Sequence, residues 1–172
     1  MLVWLTPTVR SISWWPLAAV TACLAAITAV TYSADYWPVR PLGIAAAALA
    51  AAVVAGMRDP AASLLSAVPT SAAVRRARRL ALLLPVELAV WVAWLGIGQR
   101  WDAGWAFGGL VALTLVGLAV ALWAPGPGGL AAGVAVPLAW VVAARAGQFA
   151  WDPHSEIVTI AAAAALWTGR NR

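Results

Sequence analysis

Glu87 is the residue whose chemistry stands out most from its surroundings, because the run Leu80 to Ile97 holds no other ionisable side chain. A charge near the centre of a bilayer costs roughly 2.5 to 3.5 kcal/mol on insertion scales, so a carboxyl there calls for a reason. Pro85, two residues earlier, removes a backbone donor and frees a carbonyl in the preceding turn. Three readings follow: Glu87 faces a pathway and binds a cation or a proton, stays neutral, or pairs with an Arg from a neighbouring helix. A second constellation places carboxylate, imidazole and carboxylate at alternate positions in Asp152, His154 and Glu156. Extended, that trio would hold a divalent metal. Asp152-Pro153 is also an ordinary helix start with Glu156 favourable in its first turn, and the helix start is the better reading, so no metal site is expected. Arg145, near the outer end of its apolar run, can snorkel to water.

Other chemistries are excluded by residue type. Lysine is absent from all 172 residues, which removes a P-loop Lys and a Schiff-base Lys. A single Cys, Cys23, and a single His, His154, leave neither an internal disulfide nor a Cys/His zinc cluster. No Gly-x-Ser-x-Gly occurs, so a hydrolase triad has no support. The chain is not expected to be an enzyme by itself.

The elements that position these groups follow from composition. With 64% hydrophobic and 10% charged residues, the chain is more apolar than a soluble domain, where about half apolar and a quarter charged is usual. Ala, Leu and Val run together in uninterrupted blocks rather than alternating with polar residues, which favours helices over a membrane barrel. The expected fold is an all-α integral membrane protein forming a single domain over 1–172. Six runs approach the roughly 20 residues that a hydrocarbon core of about 30 Å requires. They cover 14–32, 42–57, 80–97, 103–124, 130–147 and about 150–167, the second short and the sixth interrupted near its start. The first, about 19 residues long and without a convincing cleavage site after it, is read as a retained span rather than a signal peptide.

The eleven Arg set the polarity. Arg10, Arg58, Arg75, Arg76, Arg78, Arg79, Arg170 and Arg172 fall at the termini and after the second run, whereas Arg40, Arg100 and Arg145 fall on the opposite side. The positive-inside rule then places both ends in the cytoplasm, and the net charge of +5 reports topology rather than nucleic-acid binding. Trp14, Trp15, Trp123 and Trp167 are expected at the inner interface and Trp37, Trp101, Trp105 and Trp151 at the outer. Trp91, Trp94 and Trp140 sit deeper and are expected to pack between helices.

The long polar segment, 58–79, has a pattern of its own. Asp59 as N-cap and Pro60 in the first turn start a short helix that ends before Pro69. Ala61, Leu64, Leu65 and Val68 recur at i, i+3, i+4 and i+7 as one apolar stripe. Thr70 or Ser71 then caps a second helix that carries Arg75, Arg76, Arg78 and Arg79 into the third span. Those four Arg fix topology and contact anionic lipid headgroups, each contributing about 1 kcal/mol.

The stretch Arg58-Asp-Pro-Ala-Ala-Ser-Leu-Leu-Ser-Ala-Val-Pro-Thr-Ser with the following Arg cluster resembles the loop between the second and third spans of ABC-2-type exporter permeases. More narrowly it is similar to the small Ala-rich permease subunits of bacterial ABC transporters from GC-rich genomes. That resemblance implies a bacterial cytoplasmic-membrane location and a coupling helix over Pro60 to Val68, with Asp59 capping it and Leu64 and Leu65 as docking anchors. It further implies a separate cytoplasmic ATPase subunit that supplies ATP and Mg chemistry, and a second permease subunit, identical or homologous. The chain is short for that family, lacks its large external regions, and offers in Met1 to Ser13 a weak version of its amphipathic connecting helix. Two rivals stand beside an ATP-driven export permease. One is a non-catalytic scaffold or accessory subunit of a membrane complex. The other is a proton-coupled secondary transporter using Glu87, weakened by the lack of an evident inverted repeat.

Overall fold

A computed structural model describes residues 5–33, 41–58, 72–97, 104–124, 128–146 and 155–169. The fold is all-α, with seven helices among the described residues: α1 (Leu5–Ser11), α2 (Trp15–Ser33), α3 (Pro41–Gly56), α4 (Ala72–Ile97), α5 (Gly104–Trp123), α6 (Gly128–Arg145) and α7 (Ser155–Gly169). One of them, over Ala73–Ile97, is long and apolar enough by length and composition to cross a membrane. The remaining apolar helices are shorter.

Local sequence accounts for these helices. α3 is built largely from Ala, the strongest helix former, with Pro41 at its first position where the missing N–H costs nothing. α4 begins at Ala72, directly after the expected Thr70 or Ser71 cap, and runs unbroken through the Arg cluster into the apolar stretch, with Pro85 inside it. α7 runs from Ser155 with Glu156 in its first turn. Among the described residues no group of three potential metal ligands occurs. α1, seven residues within the segment Met1 to Ser13, packs on α4.

α3 is the centre of the bundle. It packs against α2 and α4 on one side and against α5 and α6 on the other. Its residues from Ala45 to Val54 are almost all buried, with Ala47, Leu49, Ala50, Val53 and Val54 fully so, as expected of a helix that is apolar all round. α4 also packs on α2 and α1, and α5 carries both α6 and α7. Two groups therefore share α3: α1, α2 and α4 form one, and α5, α6 and α7 the other.

The α5–α6 hairpin is the tightest part of the second group. A Cβ placed on Gly133 would lie 2.5 Å from the Gly117 carbonyl oxygen and 2.6 Å from the Ala121 Cβ, and one on Gly117 would lie 2.9 Å from the Gly133 oxygen. No side chain fits between these backbones. Gly117 and Ala121 on α5 face Gly129 and Gly133 on α6, two small-xxx-small pairs that let the helices approach closely. Pro137 supports the same crossing: its ring frees the Gly133 carbonyl, which points at Gly117.

Candidate functional site

Glu87 and Thr114 form the polar centre of the bundle. Both are 2% exposed, and Thr114 Oγ1 donates a hydrogen bond of 2.8 Å to Glu87 Oε1. The bond joins α4 to α5 directly, although no Cα of α4 comes within 8 Å of a Cα of α5. The long Glu side chain thus bridges a seam that the backbones leave open. Pairing with an Arg of a neighbouring helix is one of the three readings of Glu87, and among the described residues its partner is the Thr114 hydroxyl. α2, α3 and α5 contain no charged residue at all.

The buried face of α4 continues in both directions from Glu87. Leu83 precedes it by one turn, and Trp91 and Trp94 follow at i+4 and i+7, so all four share one stripe. The two indoles stack with ring centroids 5.5 Å apart and an interplanar angle of 29°. Trp94 Nε1 donates 3.0 Å to Thr28 Oγ1 on α2, and that hydroxyl donates 2.7 Å to the Leu24 carbonyl. Trp91 is fully buried, and its Nε1 has no hydrogen-bond partner among the described residues. The deep Trp residues pack between helices as anticipated, and Trp94 adds a hydrogen bond between α2 and α4.

At the other end of α4 the four Arg divide. Arg75, Arg76 and Arg78 are half-buried, whereas Arg79 is 4% exposed. Arg79 Nη1 donates to the carbonyls of Met57 at 3.2 Å and Arg58 at 2.9 Å, just past the last residue of α3. Its Nη2 lies 3.5 Å from Ser11 Oγ, the last residue of α1. A cation at a helix C-terminus satisfies orphan carbonyls and opposes the helix dipole, so Arg79 closes α3 while holding α4 and α1 to it. The same contacts bring Arg10 and Arg58 to the end of the bundle where Arg75, Arg76 and Arg78 begin α4. Trp14 and Trp15 are at this end, Trp15 being 78% exposed. Trp123 donates to the Ala165 carbonyl at 2.7 Å and so brings the C-terminal ends of α5 and α7 together.

The proposed docking residues Asp59, Pro60, Leu64, Leu65 and Val68 lie outside the described residues, as do Asp152 and His154. Their two flanks are well defined, since Arg58 and Arg79 are in contact. Thr114, Thr28 and Ser11 were not singled out by sequence. A hydroxyl residue on an otherwise apolar helix gives a signal only when its partner across the interface is known. No family model, characterised protein or solved structure matches the chain.

Proposed function

We propose that the chain is the membrane-spanning permease subunit of an ATP-driven ABC-type export complex, with ATP hydrolysed by a separate cytoplasmic subunit. In this reading α2 to α7 are the six spans of a bacterial cytoplasmic-membrane protein, with both ends inside. α3, at 16 residues and about 24 Å, is short for a core of about 30 Å. α2, α4, α5 and α6 pack against it, and Arg79 meets the carbonyls just past its C-terminal end. A second permease subunit would complete the enclosure.

The observation that carries the reading is the Arg79 tie. The segment 59–71 leaves the end of α3 and returns at the start of α4, and Arg79 hydrogen-bonds the carbonyls of Met57 and Arg58 across those two roots. A push on a helix between Pro60 and Val68 would therefore move α3 and α4 together, and α1 through Ser11, instead of being absorbed at a loose joint. That is the mechanical requirement for coupling to a soluble motor. The test is copurification of an ATPase subunit from the native membrane with the wild-type chain and with Leu64→Asp/Leu65→Asp. The wild type retains the ATPase and the double variant loses it. Equal recovery with both would sink the docking assignment.

A further inference from the structure

Among the described residues, no basic side chain pairs with the carboxyl of Glu87. The helices packed on this part of α4 are α2 and α3, with α5 across the seam, and none of them carries a basic residue. On α4 the nearest Arg is Arg79, eight residues and roughly 12 Å along the helix axis, and its guanidinium is engaged at the end of α3. Glu87 meets a neutral hydroxyl, and one turn further on comes a stacked indole pair. The seam between α4 and α5 is held by a side-chain bridge rather than by packed backbone.

The donor set distinguishes between kinds of cation. A hard inorganic ion wants about six to eight oxygen ligands. This stripe offers one carboxyl and one hydroxyl, and no three-residue ligand group exists among the described residues. A weakly hydrated organic cation needs much less: one countercharge to offset its desolvation, and apolar or aromatic walls whose faces attract positive charge. Glu87, Trp91 and Trp94 supply both on one face of one helix.

We propose that Glu87 is the countercharge for a weakly hydrated organic cation entering at the α4–α5 seam, with Trp91 and Trp94 as its aromatic wall and Thr114 occupying the carboxyl while the site is empty. Glu87 and Thr114 are both buried in direct contact, so the structure is the closed form. Entry breaks the Thr114 to Glu87 bond and parts α4 from α5, with α3, which both groups share, as the common support. The inference rests on the permease reading and names its cargo class.

The experiment is equilibrium binding of radiolabelled tetraphenylphosphonium to the purified full-length chain in detergent, without any ATPase. A failed ATPase copurification and a failed binding are thus separate results. Wild type is expected to bind saturably. Glu87→Gln, which can still accept the Thr114 hydrogen bond, loses at least about tenfold in affinity, in the range seen when one partner of a desolvated charge pair is removed. Thr114→Val, which removes the competing donor, tightens binding severalfold. Helicity by circular dichroism and a monodisperse elution profile accompany each variant, so that misfolding is not read as lost binding. No saturable binding by the wild type, or equal affinity in wild type and a folded Glu87→Gln protein, overturns the proposal. A folded Thr114→Val protein that binds no tighter overturns the exchange of Thr114 for the cation.

Discussion

The two sides of α5 are held by opposite means. Toward α6 its backbone approaches so closely that Gly117 and Gly133 leave no space for a methyl group. Toward α4 the backbones stay apart and a hydrogen bond between Thr114 and Glu87 spans the interval. The first contact consists of many small dispersion gains and has one workable geometry. The second is a single polar link between two buried side chains. Close packing of small residues fixes helices where their backbones touch, and a buried interhelical hydrogen bond adds modestly to it.

Thermal unfolding in detergent gives a direct way to break that contrast. Gly133→Ala has the largest expected effect, a loss of about 3 kcal/mol, because the added Cβ meets a carbonyl oxygen and a second helix backbone rather than a flexible side-chain end. Wild-type stability in that variant would erase the claim of a rigid hairpin. Arg79→Ala comes next at about 2 kcal/mol, since it removes charge-assisted hydrogen bonds to the Met57 and Arg58 carbonyls. Its loss should also loosen the roots of the 59–71 segment, read as faster proteolysis there. Thr114→Val is expected to cost only about 0.6 kcal/mol, the usual worth of an interhelical hydrogen bond in a membrane protein. A cost equal to that of Gly133→Ala would make the seam as structural as the hairpin. Gly128→Ala, with open space around its added Cβ, should shift stability by less than about 0.5 kcal/mol and so separates crowding from any general effect of glycine replacement.

Much of the helical framework was legible in the sequence. The expected runs 14–32, 42–57 and 103–124 correspond to α2, α3 and α5 within a residue or so at each end, because long apolar blocks have few alternatives to a helix. The continuous helix expected to carry the Arg cluster into the third run is α4, while its expected cap residues Thr70 and Ser71 lie outside the described residues. The last expected run, from about 150 to 167, contains α7 over Ser155–Gly169, and its positions before 155 lie outside the described residues. Glu87 was conspicuous as a lone carboxyl, but its partner was not. Thr114 gives no periodic or charge signal, and only packing chose it over Thr21, Thr28 or Thr31 on α2, all three of which donate to their own helix backbone.

The Arg cluster shows the same limit from another side. Four Arg in five positions read as one cationic face, since on a helical wheel they are nearly equivalent. The structure separates Arg79 from the rest because the end of α3 lies beside it with two carbonyls to satisfy.

What the sequence determined by itself is the set of helices, their apolar character and the position of one carboxyl among them, since those depend on residue type and spacing along the chain. What only the tertiary structure decided is that α3 lies at the centre, that Arg79 turns inward to close it, and that Glu87 meets Thr114 across an open seam while Gly117 meets Gly133 across a closed one. Those outcomes depend on which helix stands beside which, and in chains of near-uniform Ala, Leu and Val that choice rests on a few small or polar side chains whose partners are distant in sequence.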